Sequence, residues 1–292
     1  MIPKEILKKV HRIEIKTRTI VNSTLGGEYK SAFKGKGMEF SEVRPYVPGD
    51  DIRSIDWNVT ARSGEPYIKK HIEERELTVM LLVDASASGN FGSLEKFKAE
   101  TAVELCAVLS FSAIKNNDRV GLIIFTSEVE KFIPPKKGKN HVLRVIRELL
   151  YFKPSASGTD IGAAVRFLNQ ILSRRAVLFC VSDFRDNDFM IPLRVVSRRH
   201  DVIAVTLSDP REYEIPNVGL VELCDPETRE TLFVDSASPG FQRHYKERIQ
   251  KRVAQLRDYF RQNKIDEIAV STSTDYVEAL VQFFHRREKM MK

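Results

Sequence analysis

From position 77 onward the chain alternates short apolar runs with longer amphipathic ones. Residues 78–83, 120–125, 176–181, 202–207 and 265–270 are near-continuous apolar stretches of strand length. Between and after them, 94–116, 141–151, 160–172, 191–199, 239–263 and 276–288 carry apolar residues at helical spacing. Strands that are apolar throughout are buried on both faces, so the pattern predicts a doubly wound, mainly parallel α/β sheet covered by helices. Residues 129–133 follow Phe125 too closely for a helical crossover and should form an antiparallel edge strand.

The first 76 residues read differently. Ile2, Ile6, Val10, Ile13, Thr17 and Ile20 lie at helical spacing among Lys and Arg, predicting an amphipathic helix over 1–24. Residues 25–76 are rich in glycine and proline, among them Gly49, Gly64, Pro45, Pro48 and Pro66, and predict a small β-rich subdomain of strands and turns. The α/β domain would then occupy 77–292, with a β-hairpin insertion near 211–236. Its strands, 222–225 and 231–235, flank the turn Pro226-Glu227-Thr228. This hairpin is expected to pair with the glycine-rich region.

Composition narrows the class. With 30% charged and 42% hydrophobic residues in 292, the chain has the make-up of a folded globular protein. Its apolar runs are far too short to cross a bilayer. The N-terminus lacks a signal-peptide apolar core, and Cys106, Cys180 and Cys224 form no zinc or disulfide pattern. A cytoplasmic location is expected, with peripheral membrane contact left open for the basic helix. The formal charge of +7 sits mainly at the ends: residues 241–292 carry +5 and 78–240 carry −1. A nucleic-acid interface would need that charge gathered with aromatic residues on one face.

The candidate chemistry lies at strand ends. The strand 78–83 runs into Asp84-Ala-Ser86-Ala-Ser88, the strand 176–181 into Ser182-Asp183, and SGTDIG presents Thr159 and Asp160 at a helix start. In open α/β sheets the functional crevice lies beyond the carboxyl ends of the strands. Carboxylates with hydroxyls, and neither thiolate nor imidazole, suit a hard cation such as Mg²⁺ or Mn²⁺, with Ca²⁺ a further candidate. The plainer alternative is that these residues only shape turns; Asp160 also suits a helix start. A Mg²⁺-dependent phosphoryl-transfer or hydrolase enzyme is the competing function. The chain, however, has no P-loop and no GxSxG, it has Asp84-Ala-Ser86 where an aspartyl-phosphate phosphohydrolase would have DxD, and His11, His71, His141, His200, His244 and His285 lie apart from any nucleophile motif. A non-enzymatic role is expected.

Asp84-x-Ser86-x-Ser88 with Thr159 and Asp183 resembles the metal-ion-dependent adhesion site of von Willebrand factor A domains. The resemblance implies Ser86, Ser88 and Thr159 as direct cation ligands, Asp84 and Asp183 acting through water, and a carboxylate from a client protein completing the shell. Upstream, GKGMEFSEVRPYVPGDDIRSIDWNVTAR and EPYIKKHIEERE, with TSTDYVEALVQFF near the end, are similar to the family catalogued as domain of unknown function 58. That family implies a MoxR-type AAA+ ATPase as partner in assembly or chaperone-like work. At Gly89 the family often carries Met. Arg44, Asp50, Asp51, Arg53, Asp56, Trp57 and Arg62 cluster around the single tryptophan. They read either as a partner-binding surface or as an internal ion-pair network.

Overall fold

A computed structural model describes residues 4–25, 27–34, 42–52, 55–70, 76–92, 96–186 and 188–290. Its centre is a six-stranded sheet in the order β10-β7-β6-β3-β4-β5. The strands are β3 (Thr78–Asp84), β4 (Arg119–Phe125), β5 (Val129–Lys136), β6 (Val177–Ser182), β7 (Asp201–Ser208) and β10 (Asp266–Ser271). All neighbours run parallel except β5, which returns antiparallel along β4. The protein is thus a mixed α/β structure with a mostly parallel sheet.

The period-2 geometry of a strand divides its side chains between two cores. In β3, Val79, Leu81 and Val83 face one cluster, and Met80 and Leu82 face the other. The first core is covered by α1 (Lys4–Ser23), α2 (Glu28–Lys34), α4 (Lys98–Lys115), α5 (Lys139–Tyr151) and α9 (Tyr276–Met290). The second is covered by α6 (Ile161–Ile171), α7 (Met190–Ser197) and α8 (Pro239–Gln262). Helix α4 lies between the sheet and other helices, so even Ser110 is fully buried. It satisfies its hydroxyl on the Cys106 carbonyl at 2.7 Å. Helix α8, by contrast, buries only Phe260 completely.

Two expectations change. Among the described residues of 25–76 there are two helices besides the strands β1 (Glu42–Pro45) and β2 (Tyr67–Lys70). Helix α2 forms because Tyr29 and Ala32 bury completely in the first core. Helix α3 (Trp57–Ser63) is capped at both ends: Asp56 Oδ1 accepts the N–H groups of Asn58 and Val59, and Gly64 supplies the left-handed residue, φ 79°, that ends it. The second change concerns the hairpin of β8 (Leu220–Cys224) and β9 (Thr231–Asp235), which pairs only with itself, as β1 pairs with β2. Among the described residues it does not pair with the glycine-rich region; its tip is bonded to Ser157 and Thr159 instead.

Candidate functional site

The chain leaves β3 through α4 toward β4 on one side, and later enters β6 and β7 on the other. Strand order therefore reverses between β3 and β6, and an open crevice forms beyond their carboxyl ends. Asp84 ends β3 and Ser182 ends β6, with Val83 and Val181 in register one step earlier. That register brings the Ser182 hydroxyl to Asp84 Oδ2 at 2.6 Å. Asp84 Oδ1 accepts the Ser86 N–H at 2.9 Å, which folds the loop so that Ser86 and Ser88 hydroxyls lie 3.0 Å apart. Burial pushes the Asp84 carboxyl up to about 6, against the opposing bonds from Ser182 and Ser86 and with a further rise from the Asp183 charge.

A third loop closes the crevice. The Ser157 carbonyl accepts the Ala87 N–H at 3.0 Å, and Asp160 N–H reaches Thr126 at 2.8 Å. The first bond ties Ser157 to the Asp84 loop, and the second ties Asp160 to the residue that follows β4. Thr159 faces the turn of the β8–β9 hairpin, and its hydroxyl donates to Glu227 Oε1 at 2.8 Å. Asp160 is spent locally: its Oδ1 caps α6 by accepting the Ala163 N–H at 2.6 Å.

Asp183 has a different partner. Lys98, only 2% exposed, puts its Nζ 2.8 Å from Asp183 Oδ2 and 2.8 Å from Glu212 Oε1. Arg185 lies 3.0 Å from the same Glu212 oxygen. Burial raises Asp183, but the Lys98 ammonium together with the charge and N–H of Arg185 outweighs it, and the carboxyl lies below its ordinary value. Asp84, Ser88, Gly89, Lys98, Ser182 and Asp183 line one small cleft. Among the described residues no three His, Cys, Asp or Glu side chains gather as a metal-binding group, so any cation here would depend on hydroxyl oxygens.

Sequence reasoning missed Lys98, Glu212 and Glu227. Lys98 left one trace, since a cation at the first position of a helix opposes the helix dipole and needs nearby anions. Glu227 left none, because 68 residues separate it from Thr159.

The charged cluster around the tryptophan lies apart from these contacts. Arg44 grips Asp50 with two bonds, 2.8 and 2.7 Å, and this pairing, with the Val47 N–H, holds the Asp50 carboxyl below its ordinary value. Asp56 is the α3 cap, Trp57 is 67% exposed, and Asp51 and Arg62 are exposed as well. Arg53 lies outside the described residues, as do His71 and positions 35–41 of the glycine-rich motif.

The family model described as "Protein of unknown function DUF58" matches residues 42–255. The uncharacterized protein Rv1480 of Mycobacterium tuberculosis is 33% identical over 219 residues, covering 74% of this chain and 69% of its own. The uncharacterized protein YeaD of Bacillus subtilis is 29% identical over 109 residues, 37% of this chain and 25% of its own. Among solved structures, the conserved hypothetical protein BatB of Bacteroides thetaiotaomicron aligns with a TM-score of 0.48 and 16% identity. The alignment covers 73% of this chain and 99% of BatB.

Proposed function

We propose, for a chain that belongs to the DUF58 family of proteins of unknown function, that it is a protein-interaction module built on a von Willebrand A-like domain. Its crevice takes a divalent cation, Mg²⁺ or Mn²⁺, and a client carboxylate, and a MoxR-type AAA+ ATPase is its partner. The observation that supports this reading is the Asp84-Ser86-Ser88 loop at the point where strand order reverses, with the loop that leads to Thr159 tied to it through the Ala87 N–H and the Ser157 carbonyl.

The donor set supports it. The Ser86 and Ser88 hydroxyls share one hydrogen bond, and Thr159 spends its proton on Glu227, so all three oxygens keep lone pairs for a hard cation. Asp84 is fixed by two donors, the Ser86 N–H and the Ser182 hydroxyl. Asp183 shares its charge with Lys98 and would act as an outer group. A cation bound here supplies a Lewis-acidic position for a carboxylate oxygen.

Calorimetric titration with Mg²⁺ tests the reading. Wild type should bind, and Ser86→Ala and Thr159→Ala should each weaken binding roughly tenfold or more. Capture of the MoxR-type ATPase should be lost in EDTA and in the Ser86→Ala protein. Equal titration of wild type and both variants would overturn the cation site, and capture unaffected by EDTA would overturn its role in partnering.

A further inference from the structure

Of residues 224–230, at the tip of the β8–β9 hairpin, only Glu227 is not exposed. The turn is built to present it. Asp225 Oδ1 accepts the N–H groups of Glu227 and Thr228 at 2.8 and 3.1 Å, and Arg229 takes the left-handed conformation, φ 62°. Glu227 then meets the crevice loop twice: its carboxylate accepts the Thr159 hydroxyl, and its carbonyl accepts the Ser157 hydroxyl at 3.1 Å.

The base of the hairpin is anchored. Ser236 is fully buried, donates its hydroxyl to Gly219 O at 2.7 Å and accepts the Val218 N–H at 3.0 Å. Gln242 on α8 ties down the carbonyls of Ile215 and Ser236. Between base and tip, Val234 is buried and Val221 and Leu223 are half-buried, while the other face of the hairpin is open. Neither strand joins the central sheet, and Leu220, Leu232 and Phe233 are 74%, 64% and 64% exposed. A lever fixed at one end and held at the other by polar contacts to hydroxyls can swing when something else satisfies those hydroxyls.

We propose that Glu227 is an internal carboxylate ligand of the crevice, seated on Thr159 until an Asp or Glu side chain of a partner protein takes its place. The inference deepens the proposed function and rests on the crevice being a carboxylate-accepting site.

Cys224, beside the tip, is exposed, whereas Cys106 and Cys180 are buried, so a spin label can be placed on the hairpin selectively. A second label at Arg144→Cys, an exposed position on α5, gives a distance to the tip. Wild type should give one narrow distance distribution. Glu227→Ala should broaden it to longer distances, and so should acetate added to wild type with Mg²⁺, but not chloride at equal ionic strength. A Glu227→Ala distribution as narrow as wild type, or a wild-type distribution indifferent to acetate, would overturn the proposal. Mg²⁺ binding measured separately keeps the two readings apart. If Asp84→Ala binds Mg²⁺ as wild type does, the cation reading falls, while the label distances still decide the hairpin.

Discussion

Lys98 Nζ lies 2.8 Å from Asp183 Oδ2, with both side chains almost wholly out of water. A buried pair is costly to assemble but far costlier to break, because removing one partner strands the other's charge. Here Lys98 compensates two carboxylates, Asp183 and Glu212. Lys98→Ala should therefore destabilise the fold by about 3–5 kcal/mol in urea unfolding. Lys98→Met combined with Asp183→Asn and Glu212→Gln should recover much of that loss. A single variant within about 1 kcal/mol of wild type would show that the pair contributes little.

Asp84 predicts a pH dependence. Its folded value, about 6, lies above the unfolded 3.8 because burial disfavours the charged form. The folded state therefore holds this proton more tightly. The associated stability is present at acid pH and is lost as the pH rises from 3.8 to about 6. Above that range the ionised carboxylate costs on the order of 2–3 kcal/mol in chelator-treated protein. Asp84→Asn should raise the melting temperature near neutral pH and leave it unchanged at about pH 4. An equal shift at both would contradict the assignment.

Two glycines near the crevice should behave oppositely. A Cβ on Gly92 would lie 2.5 Å from the Lys96 carbonyl oxygen and 2.9 Å from Phe97 Cα, both backbone atoms that cannot rotate away. Gly92→Ala should cost about 1–3 kcal/mol and disturb the entry to α4. A Cβ on Gly89 meets only Ala99 Cβ, at 3.7 Å, an ordinary contact. Gly89→Ala should change denaturation midpoints by no more than about 0.5 kcal/mol. The site loop therefore has room at Gly89 for the start of a larger side chain.

Phe284 on α9 is fully buried, with its ring 5.9 Å from Tyr29 and 6.0 Å from Phe33 of α2. Phe284→Ala should cost about 3–5 kcal/mol. Because the cavity opens under α2, amide exchange in residues 28–34 should accelerate more than in β3 or β4. Uniform acceleration across the sheet would argue that α2 has no separate dependence on this ring.

The central sheet was legible because its strands are apolar on both faces, a pattern that solvated elements do not imitate. The edge position of β5 followed from the short link after Phe125. Helix α2 was not legible: it is seven residues long, and the burial of Tyr29 and Ala32 against distant elements is what makes it form. The crevice was half legible. Asp84 and Ser182 are strand-end residues, so the sheet alone places them together. Lys98 and Glu227 arrive from a helix start and a hairpin tip, and their sequence context, KFKAE and DPETRE, reads as solvated charge. Their roles depend on long-range packing, which no local pattern records.

Strand β5, the edge beside β4, carries Pro134 and Pro135 with Lys131 and Lys136. A proline has no N–H to offer an incoming strand, and lysine disfavours burial against one. Growth of the sheet by addition of another chain is thus blocked on this side. The protein should resist edge-to-edge self-association there even when concentrated, and a partner that binds by extending the sheet has only the β10 margin to use.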